Sequence, residues 1–486
     1  MAKNWNDVVS DGASSLFGVW AVSIAMGSLA QLLAFFLGRR GAQQHAVLFW
    51  AAFLCLFFGY SLIRGVTAQL LGNMRFTIPP SIGWLVAAGV VFALLIRLRK
   101  REELHRVALA FCFATAALAF ARLGATVLRP QSQESDSTLV NPVAPHLGRV
   151  RSFAPDVYYV LLDAYPGARE LREITGFDNS KFIKQMGERG FVDAAAPMSN
   201  YIRTAQALGG IFALDFPQTE SPKTWQDSRR LFPRIIDAPQ TPALIDRFQG
   251  AGYSVWQTVS PWSGCSGRHL KCVGAAGSRE IDSMLQSFLS PTPLGRLAFY
   301  LFAQRMDGLD AITAHLALVS KTRPFFIFVH NFAPHPPQFL RADCRPHPVD
   351  ADTMSDWDND RRPIFAASVQ CVNLKVIRLV DEILRTDPGA LIVIQSDHGS
   401  AFTVDWETPV QNWSADAIRE RTSFINLIRA PADCMHLLDR PIAQVNTGRF
   451  ALACATASQP EFLPERTYLS AYPQSRGNPA IRRIER

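Results

Sequence analysis

The feature that most constrains the fold is the uneven distribution of apolar residues along the chain. Four apolar segments lie within the first 128 residues, and each approaches or exceeds the roughly 20 apolar residues that span a bilayer. A signal peptide would be one shorter stretch, and four buried helices of a soluble core are the less favoured alternative. We therefore expect four transmembrane helices, at residues 15–37, 46–63, 81–96 and 107–127.

Arginine and lysine residues in the connecting loops predict the orientation of these spans. The first loop contains Arg39 and Arg40, the third contains the basic run Arg97–Arg106, and the longer second loop has only Arg64 and Arg75. By the positive-inside rule, the first and third loops are cytoplasmic and both chain ends lie outside. Much of the net charge of +8 then serves topology. Without a basic patch that contains interleaved aromatic residues, we expect no nucleic-acid partner.

The rest of the chain has the pattern of an exported α/β domain. Residues 129–150 are rich in Pro, Ser and Gln and predict a linker, whereas residues 151–486 are long enough for one large core. Strand-like apolar runs alternate there with segments of helical spacing, which predicts a mostly parallel sheet covered by helices. The predicted strands include Val157–Leu162, Tyr253–Val259, Phe325–His330 and Leu391–Gln395, and the predicted helices include Asn179–Arg189, Thr204–Leu214, Pro242–Gln249 and Ala366–Arg385.

Cysteine usage agrees with export. Of the eight cysteines, Cys55 and Cys112 lie in predicted spans and the other six in the predicted exported domain. An even number of cysteines outside the cytoplasm predicts disulfides. The sequence leaves their connectivity open, and pairing in chain order gives the shortest loops: Cys265–Cys272, Cys344–Cys371 and Cys434–Cys454.

Polar residues with metal-binding chemistry follow two of the predicted strands. Asp163 comes directly after the first strand, and Asp397 and His398 follow a later one, within Ser396–Gly399. Ligands of open α/β sheets bind beyond the carboxyl ends of the strands, so these side chains can converge on one divalent cation. An aspartate that caps the following turn is the alternative for Asp397. The second acidic strand end favours the metal.

Thr204 opens a predicted helix and has two interpretations. A hydroxyl at that position, taken alone, is more often a helix cap. The functional alternative is a nucleophile, because a helix N-terminus favours a bound anion and a nearby metal lowers the pKa of the hydroxyl. Arg203 beside it is a candidate substrate contact, and a solvated arginine is equally consistent with the sequence.

Two histidines lie at or just after the end of the predicted strand Phe325–His330. His335 lies between prolines in a stiff loop, where it can bind a phosphoryl oxygen or protonate a leaving alcohol. His330 ends an apolar strand, and we interpret it as a core histidine.

Taken together, these motifs resemble the sulfatase-like branch of the alkaline phosphatase superfamily, close to lipoteichoic acid synthases and membrane phosphoglycerol or phosphoethanolamine transferases. The similarity extends over about residues 152–428, and it depends on the combination and order of the motifs. They are Pro155–Asp163, Gly176–Asn179, Gly190-Phe191, Ser199–Thr204, Ala333–Pro337 and Ser396–Gly399.

The resemblance implies an alkaline phosphatase/sulfatase-like fold, a Thr nucleophile at Thr204 and a substrate-binding histidine at His335. It also implies one divalent ion, Mn or another of Mg, Zn and Ca, since Ala164 stands where two-metal members carry a second acid. The implied metal ligands are Asp163, Thr204, Asp397 and His398.

The predicted function is that of a membrane-anchored, metal-dependent phosphotransferase in the inner membrane, with its catalytic domain on the periplasmic side. It would move a phospho-headgroup from a phospholipid to an envelope glycan or lipid through a Thr-linked intermediate. The alternatives are a phosphodiester or sulfate-ester hydrolase and a non-catalytic domain that binds lipid or a partner. The stretch Thr204–Leu208 lacks the C/S-x-P-x-R motif of formylglycine sulfatases, which disfavours that route to sulfate esters.

Overall fold

The computed structural model describes residues 154–216, 241–258, 270–273, 307–346, 357–470 and 481–485, with single gaps at 323, 337 and 407, and a few isolated residues between 86 and 97. Apart from those isolated residues, the four predicted spans lie outside the described residues, and so does the predicted linker. Within the described part, one helical segment, Asn359–Thr386, is long and apolar enough to cross a membrane, and more than half of its most apolar stretch is buried inside the protein.

The chain divides into two compact units, and every element described below belongs to the unit formed by Ser135–Ala276, Ala303–Val349 and Thr353–Arg486. Among the described residues, seven strands of this unit form one sheet in the order β2-β7-β6-β1-β5-β3-β4. The strands are β1 Val157–Leu162, β2 Val192–Asp193, β3 Ser254–Thr258, β4 Lys271–Val273, β5 Phe325–Asn331, β6 Leu391–Ser396 and β7 Asn426–Arg429.

Parallel pairing at the centre of the sheet brings three strand ends level. β1 pairs in parallel with β5 on one side and with β6 on the other. Its last residue, Leu162, lies opposite Asn331 of β5 and Ser396 of β6. The residues that follow these strands therefore meet at one edge of the sheet, as the strand-end pattern predicts. All six residues of β1 are buried, which is typical of a central parallel strand.

The sheet is mixed at one side. β7 runs antiparallel to β6, and the short β2 runs antiparallel to β7. This agrees with the prediction of a mostly parallel sheet, because β6, β1, β5, β3 and β4 are mutually parallel. A separate antiparallel pair is formed by β8, Arg466–Ser470, and β9, Ile481–Glu485.

Helices pack against each other in two groups, consistent with the predicted coverage of both sheet faces. Alternate residues of β1, such as Tyr159 and Leu161, share a core with residues of three helices, α3 (Thr204–Ala213), α4 (Ala243–Gly250) and α9 (Gln444–Thr456). The remaining residues of this strand therefore point to the other face. The helices are α1 Ala168–Thr175, α2 Ser180–Glu188, α3 Thr204–Ala213, α4 Ala243–Gly250, α5 Gly308–Val319, α6 Arg362–Thr386, α7 Ala415–Thr422, α8 Ala432–Met435 and α9 Gln444–Thr456.

Two of the three disulfides expected from chain order are formed by described residues. Cys344 pairs with Cys371, which ties the loop after β5 to α6. Cys434 pairs with Cys454, which ties α8 to α9. Cys272 is also disulfide-bonded, while its predicted partner Cys265 lies outside the described residues.

Candidate active site

Asp163 lies at the end of β1, in a sharply turned backbone. Its amide donates to the carbonyl oxygen of Asn331 at 2.9 Å, which continues the pairing with β5 by one residue. The next residue, Ala164, has a φ of 59°, a left-handed conformation that is uncommon for alanine. Its amide donates to Asp397 Oδ1 at 2.9 Å. The turn after β1 is thereby bound to the turn after β6, and the two carboxylates face each other.

Asp397 and His398 are completely buried at the end of β6. Asp397 Oδ1 accepts hydrogen bonds from the amides of Ala164 and His398, both at 2.9 Å. Its second oxygen, Oδ2, accepts no hydrogen bond from the described residues and lies 3.2 Å from His398 Nε2. The other ring nitrogen, Nδ1, lies 3.0 Å from the carbonyl oxygen of Gly399, to which it donates. His398 Nε2 is therefore the nitrogen with a lone pair, and it points at the carboxylates.

Thr204 is the first residue of α3, and its hydroxyl points to the acidic residues. Arg203 occupies the N-cap position, with no hydrogen bond from its side chain to the helix. Thr204 Oγ1 lies 3.4 and 3.5 Å from the two carboxylate oxygens of Asp163 and 3.3 Å from His398 Nε2. These contacts join the nucleophile candidate to two of the predicted metal ligands, and they leave the helix-cap interpretation without a supporting contact.

The residues gathered here fit a divalent cation. One ligand atom each from Asp163, Asp397 and His398 lies within 4.8 Å of the others. Two neighbouring buried carboxylates repel each other, and Asp397 Oδ2 has no hydrogen-bond donor among the described residues. The bond from His398 Nδ1 to a carbonyl oxygen is the support that metal-binding histidines usually have.

Burial controls the protonation of the acidic residues. It raises the pKa of Asp163 to about 6, partly offset by the neighbouring His335 and by the positive charge of Arg421. It raises the pKa of Asp397 to about 7, and the neighbouring charge of Asp163 adds to this increase. Burial, followed by the charge of Arg421, lowers the pKa of His398 well below its usual value. The imidazole is therefore neutral at physiological pH, as a metal ligand must be.

His330 and His335 both lie near this cluster. His330 is fully buried, as a core histidine would be, yet its Nε2 lies 3.6 Å from Asp163 Oδ2. Burial lowers its pKa to about 4, so it is neutral. His335 is partly exposed and donates from Nδ1 to the carbonyl oxygen of Pro336 at 2.6 Å, so Nε2 carries its lone pair. Burial also lowers the pKa of His335, which favours the form that accepts a proton.

Arg203 is engaged with a backbone group. It is 9% exposed, and both Nε and Nη2 donate to the carbonyl oxygen of Ser470 in β8, at 3.2 and 2.9 Å. These bonds fix the start of α3 against the neighbouring strand. A contact between Arg203 and substrate stays a prediction.

A second arginine, Arg421 of α7, enters the site and was not predicted from the sequence. It is 4% exposed. Its Nε donates to the carbonyl oxygen of Ile202 at 3.0 Å, its Nη1 donates to that of Gly399 at 2.7 Å, and its Nη2 lies 3.1 Å from His398 Nε2. The N-cap Ser414, which accepts from the Ala417 amide, is a sequence signal for α7. It gives no information about where Arg421 points.

The C-terminal turn of α7 also fixes the loop after His398. The carboxylate of Glu420 accepts from the hydroxyl of Ser400 at 2.6 Å and from the amides of Phe402 and Thr403, both at 2.7 Å. Gly399 lies so close that an added Cβ would be 2.0 Å from the Glu420 carbonyl oxygen. Only glycine fits there, which explains the tight turn directly after Asp397 and His398.

Comparisons with known proteins give matches among solved structures. No family model and no curated protein sequence matches the chain. The C-terminal periplasmic domain of EcEptC from Escherichia coli matches with a TM-score of 0.41 and 13% identity, over 70% of this chain and 96% of that domain. It has also been solved in complex with Zn.

Two further matches are a transferase and a hydrolase. The soluble domain of lipooligosaccharide phosphoethanolamine transferase A from Neisseria meningitidis has a TM-score of 0.38 and 13% identity, over 64% of this chain and 90% of that one. The phosphonate monoester hydrolase SpPMH from Silicibacter pomeroyi has a TM-score of 0.41 and 12% identity, over 65% and 79%. Sulfatases also match.

Proposed function

We propose that the chain is a membrane-anchored, metal-dependent phosphotransferase that forms a covalent intermediate on Thr204. The observation that carries this proposal is the direction of the Thr204 hydroxyl. It lies within 3.5 Å of Asp163 and of His398, and among the described residues it has no hydrogen bond to a backbone amide of the helix. A hydroxyl at a helix N-terminus, next to two buried carboxylates and a neutral imidazole, has the surroundings of an activated nucleophile.

Asp163, Asp397 and His398 would hold the cation, with Thr204 as a fourth ligand. Hard carboxylate oxygens and one imidazole suit Mn, Mg, Zn or Ca. When bound, the ion lowers the pKa of a hydroxyl beside it and neutralises charge on a phosphoryl group. The protein contributes the fixed directions of these side chains, through the amide bonds to Asp397 and the carbonyl bond to His398.

In the transfer step, Thr204 Oγ1 attacks the phosphorus of a phosphodiester headgroup. The Oγ1–P bond forms, the P–O bond to the lipid alcohol breaks, and the hydroxyl proton of Thr204 ends on the leaving oxygen. In the second half, a hydroxyl of the acceptor attacks the phospho-threonine and its proton returns to Thr204. No outside reactant is needed, because each half exchanges one ester bond for another.

His335 would carry protons between these oxygens. Its Nδ1–H is fixed by the carbonyl of Pro336, which leaves Nε2 as the exchangeable position. In its favoured neutral form, Nε2 accepts the proton of the incoming hydroxyl, and the resulting imidazolium returns it.

Labelled phospholipid tests the transfer. The detergent-solubilised full chain with Mn is incubated with a phospholipid labelled in its headgroup and with an envelope lipid extract. Label on an acceptor lipid or glycan supports transfer. Label released only as the free headgroup phosphate would mean that water is the acceptor, which is the hydrolase alternative. Label that stays entirely in the donor, with every divalent ion tried, would contradict both. Chelator-treated protein serves as the control.

The membrane anchor is part of the proposal and has its own test. The basic first and third loops support four spans with residues 151–486 on the periplasmic side of the inner membrane. A reporter that works only outside the cytoplasm should be active when fused after Arg486 and inactive when fused near Arg101. The opposite pattern would contradict an exported site.

A further inference from the structure

The guanidinium of Arg421 is held between the nucleophile segment and the metal-ligand turn. It binds the carbonyl of Ile202, two residues before Thr204, and the carbonyl of Gly399, one residue after His398. Its third nitrogen, Nη2, lies 3.1 Å from His398 Nε2. We infer that Arg421 is a catalytic residue that donates from Nη2 to a non-bridging oxygen of the transferred phosphoryl group. This inference rests on the proposed function, and it goes beyond the residues that the sequence motifs indicate.

Arg421 Nη2 and a bound cation would compete for one acceptor atom, His398 Nε2. His398 Nδ1 donates to the Gly399 carbonyl, so the lone pair of the ring lies on Nε2, and Arg421 Nη2 donates to it. A cation held by the three ligands would use that same lone pair. The oxygens of a bound phosphoryl group would then offer Nη2 an acceptor beside the cation.

Thr204 and Arg421 approach the same atom of His398. Thr204 Oγ1 lies 3.3 Å from His398 Nε2, the same nitrogen that Nη2 approaches at 3.1 Å. Nucleophile and guanidinium therefore both lie within hydrogen-bonding distance of one atom. A phosphorus bonded to Oγ1 carries its non-bridging oxygens into this region, and those oxygens are strong acceptors for an arginine.

The summed charge of the metal-loaded site depends on Arg421. Two carboxylates and one divalent cation sum to zero, and Arg421 adds one positive charge beside them. A phosphodiester or a phosphate ion is negatively charged, so the net positive charge that Arg421 gives the site is complementary to it. A charged donor fixed in advance stabilises charge that develops on the phosphoryl oxygens without reorganising during the reaction.

Arg421, rather than Arg203, has this position. Nε and Nη2 of Arg203 both donate to one carbonyl oxygen of β8. Nη2 of Arg421 instead points at His398 Nε2, the atom that would bind the metal. Arg429 offers a matched control, because it donates to three backbone carbonyls, those of Arg189, Ala390 and Pro388, at 3.1, 3.1 and 2.7 Å. It lies at the opposite end of β7 from α7.

The experiment compares Arg421→Met, Arg421→Lys and Arg429→Lys in the detergent-solubilised full chain. Bound Mn is measured by elemental analysis, binding of inorganic phosphate to the Mn-loaded protein by calorimetry, and turnover with bis(p-nitrophenyl) phosphate. We expect Arg421→Met to retain Mn and to bind phosphate about 10- to 100-fold more weakly, as expected for loss of a hydrogen bond to a charged group. Turnover should fall by about 100-fold or more. Arg421→Lys should fall between Arg421→Met and the parent, and Arg429→Lys should change only thermal stability.

Several results would overturn the inference. Phosphate binding by Arg421→Met equal to that of the parent is one, and a parent that binds no phosphate is another. Loss of Mn from both Arg421 variants would assign Arg421 to holding the ligand turn instead. The phosphate titration does not depend on turnover. If the parent cleaves no phosphodiester, the proposed function fails, while the titration still decides the role of Arg421.

Discussion

Replacing Thr204 by alanine separates the nucleophile from the helix cap most clearly. The hydroxyl makes three long contacts, of 3.3 to 3.5 Å, and no capping bond, so its loss should cost only about 1 kcal/mol of the free energy of unfolding. For a domain of this size that corresponds to a decrease in Tm of about 1–2 °C. Turnover should fall by about four to six orders of magnitude, because the covalent route is lost.

Three measurements check this prediction. Calorimetry gives the Tm, steady-state kinetics with a phosphodiester gives kcat, and mass spectrometry of protein quenched during turnover should find a phosphoryl group on the peptide that contains Thr204. Thr204→Ser retains a hydroxyl and should retain part of the activity. Thr456→Ala is the matched control, because it also removes one buried hydroxyl, bonded to the Leu452 carbonyl at 2.9 Å at the end of α9.

The control should lose a similar amount of stability and keep normal turnover. A folded Thr204→Ala protein with turnover within about threefold of the parent would refute the reasoning, since removal of a nucleophile costs far more than threefold. Attention would then move to His335 or to water as the attacking group.

Three further predictions concern the metal site. Asp397→Asn replaces the carboxylate oxygen that has no hydrogen-bond donor among the described residues. It should weaken Mn binding, measured by calorimetry, at least about 100-fold. Unchanged Mn occupancy would show that Asp397 is not a metal ligand. Because the pKa of Asp397 is raised to about 7 and that of Asp163 to about 6, protons compete with the metal at low pH. The dissociation constant for Mn should be flat above pH 7, rise about tenfold per pH unit below it, and rise more steeply below pH 6; a flat profile down to pH 5 would contradict the raised pKa values. Gly399→Ala should lower the free energy of unfolding by about 3 kcal/mol, because the new Cβ would lie 2.0 Å from the Glu420 carbonyl oxygen. In the control Gly187→Ala, the new Cβ in α2 would have nothing within 4 Å, and the free energy of unfolding should rise by about 0.5–1 kcal/mol. Similar Tm changes in the two variants would show that α7 moves to make room for the Cβ at residue 399.

The central strands could be predicted from the sequence because their signal is local. Val157–Leu162 was predicted with the bounds of β1, and Leu391–Gln395 differs from β6 by one residue. Each is a short apolar run that needs no distant information to be recognised as a buried strand. The peripheral β2 and β7 were not predicted. β2 has only two residues, both exposed, and owes its existence to its partner strand.

Much of the site follows from the same local signal. Parallel strands end at one edge of their sheet, so residues such as Asp163 and Asp397, which follow two of them, had to lie close together once the strands were neighbours. The sequence also indicated Thr204 at the start of a helix, which α3 confirms. For Thr204 it left the cap and the nucleophile both open, because each requires a hydroxyl at the first turn.

Tertiary structure decided the direction of the side chains. The pattern of α7 contains nothing that sends Arg421 to His398 while Arg203, beside the nucleophile candidate, turns to a carbonyl of β8. Nor did the end of β5 reveal that His330 lies 3.6 Å from Asp163. The sequence by itself determined which residue types follow which strands, because periodicity is local. Which charged groups share the buried site depended on contacts between separate segments, from 23 residues apart for Arg421 and His398 to 233 for Ala164 and Asp397, and only packing brings those together.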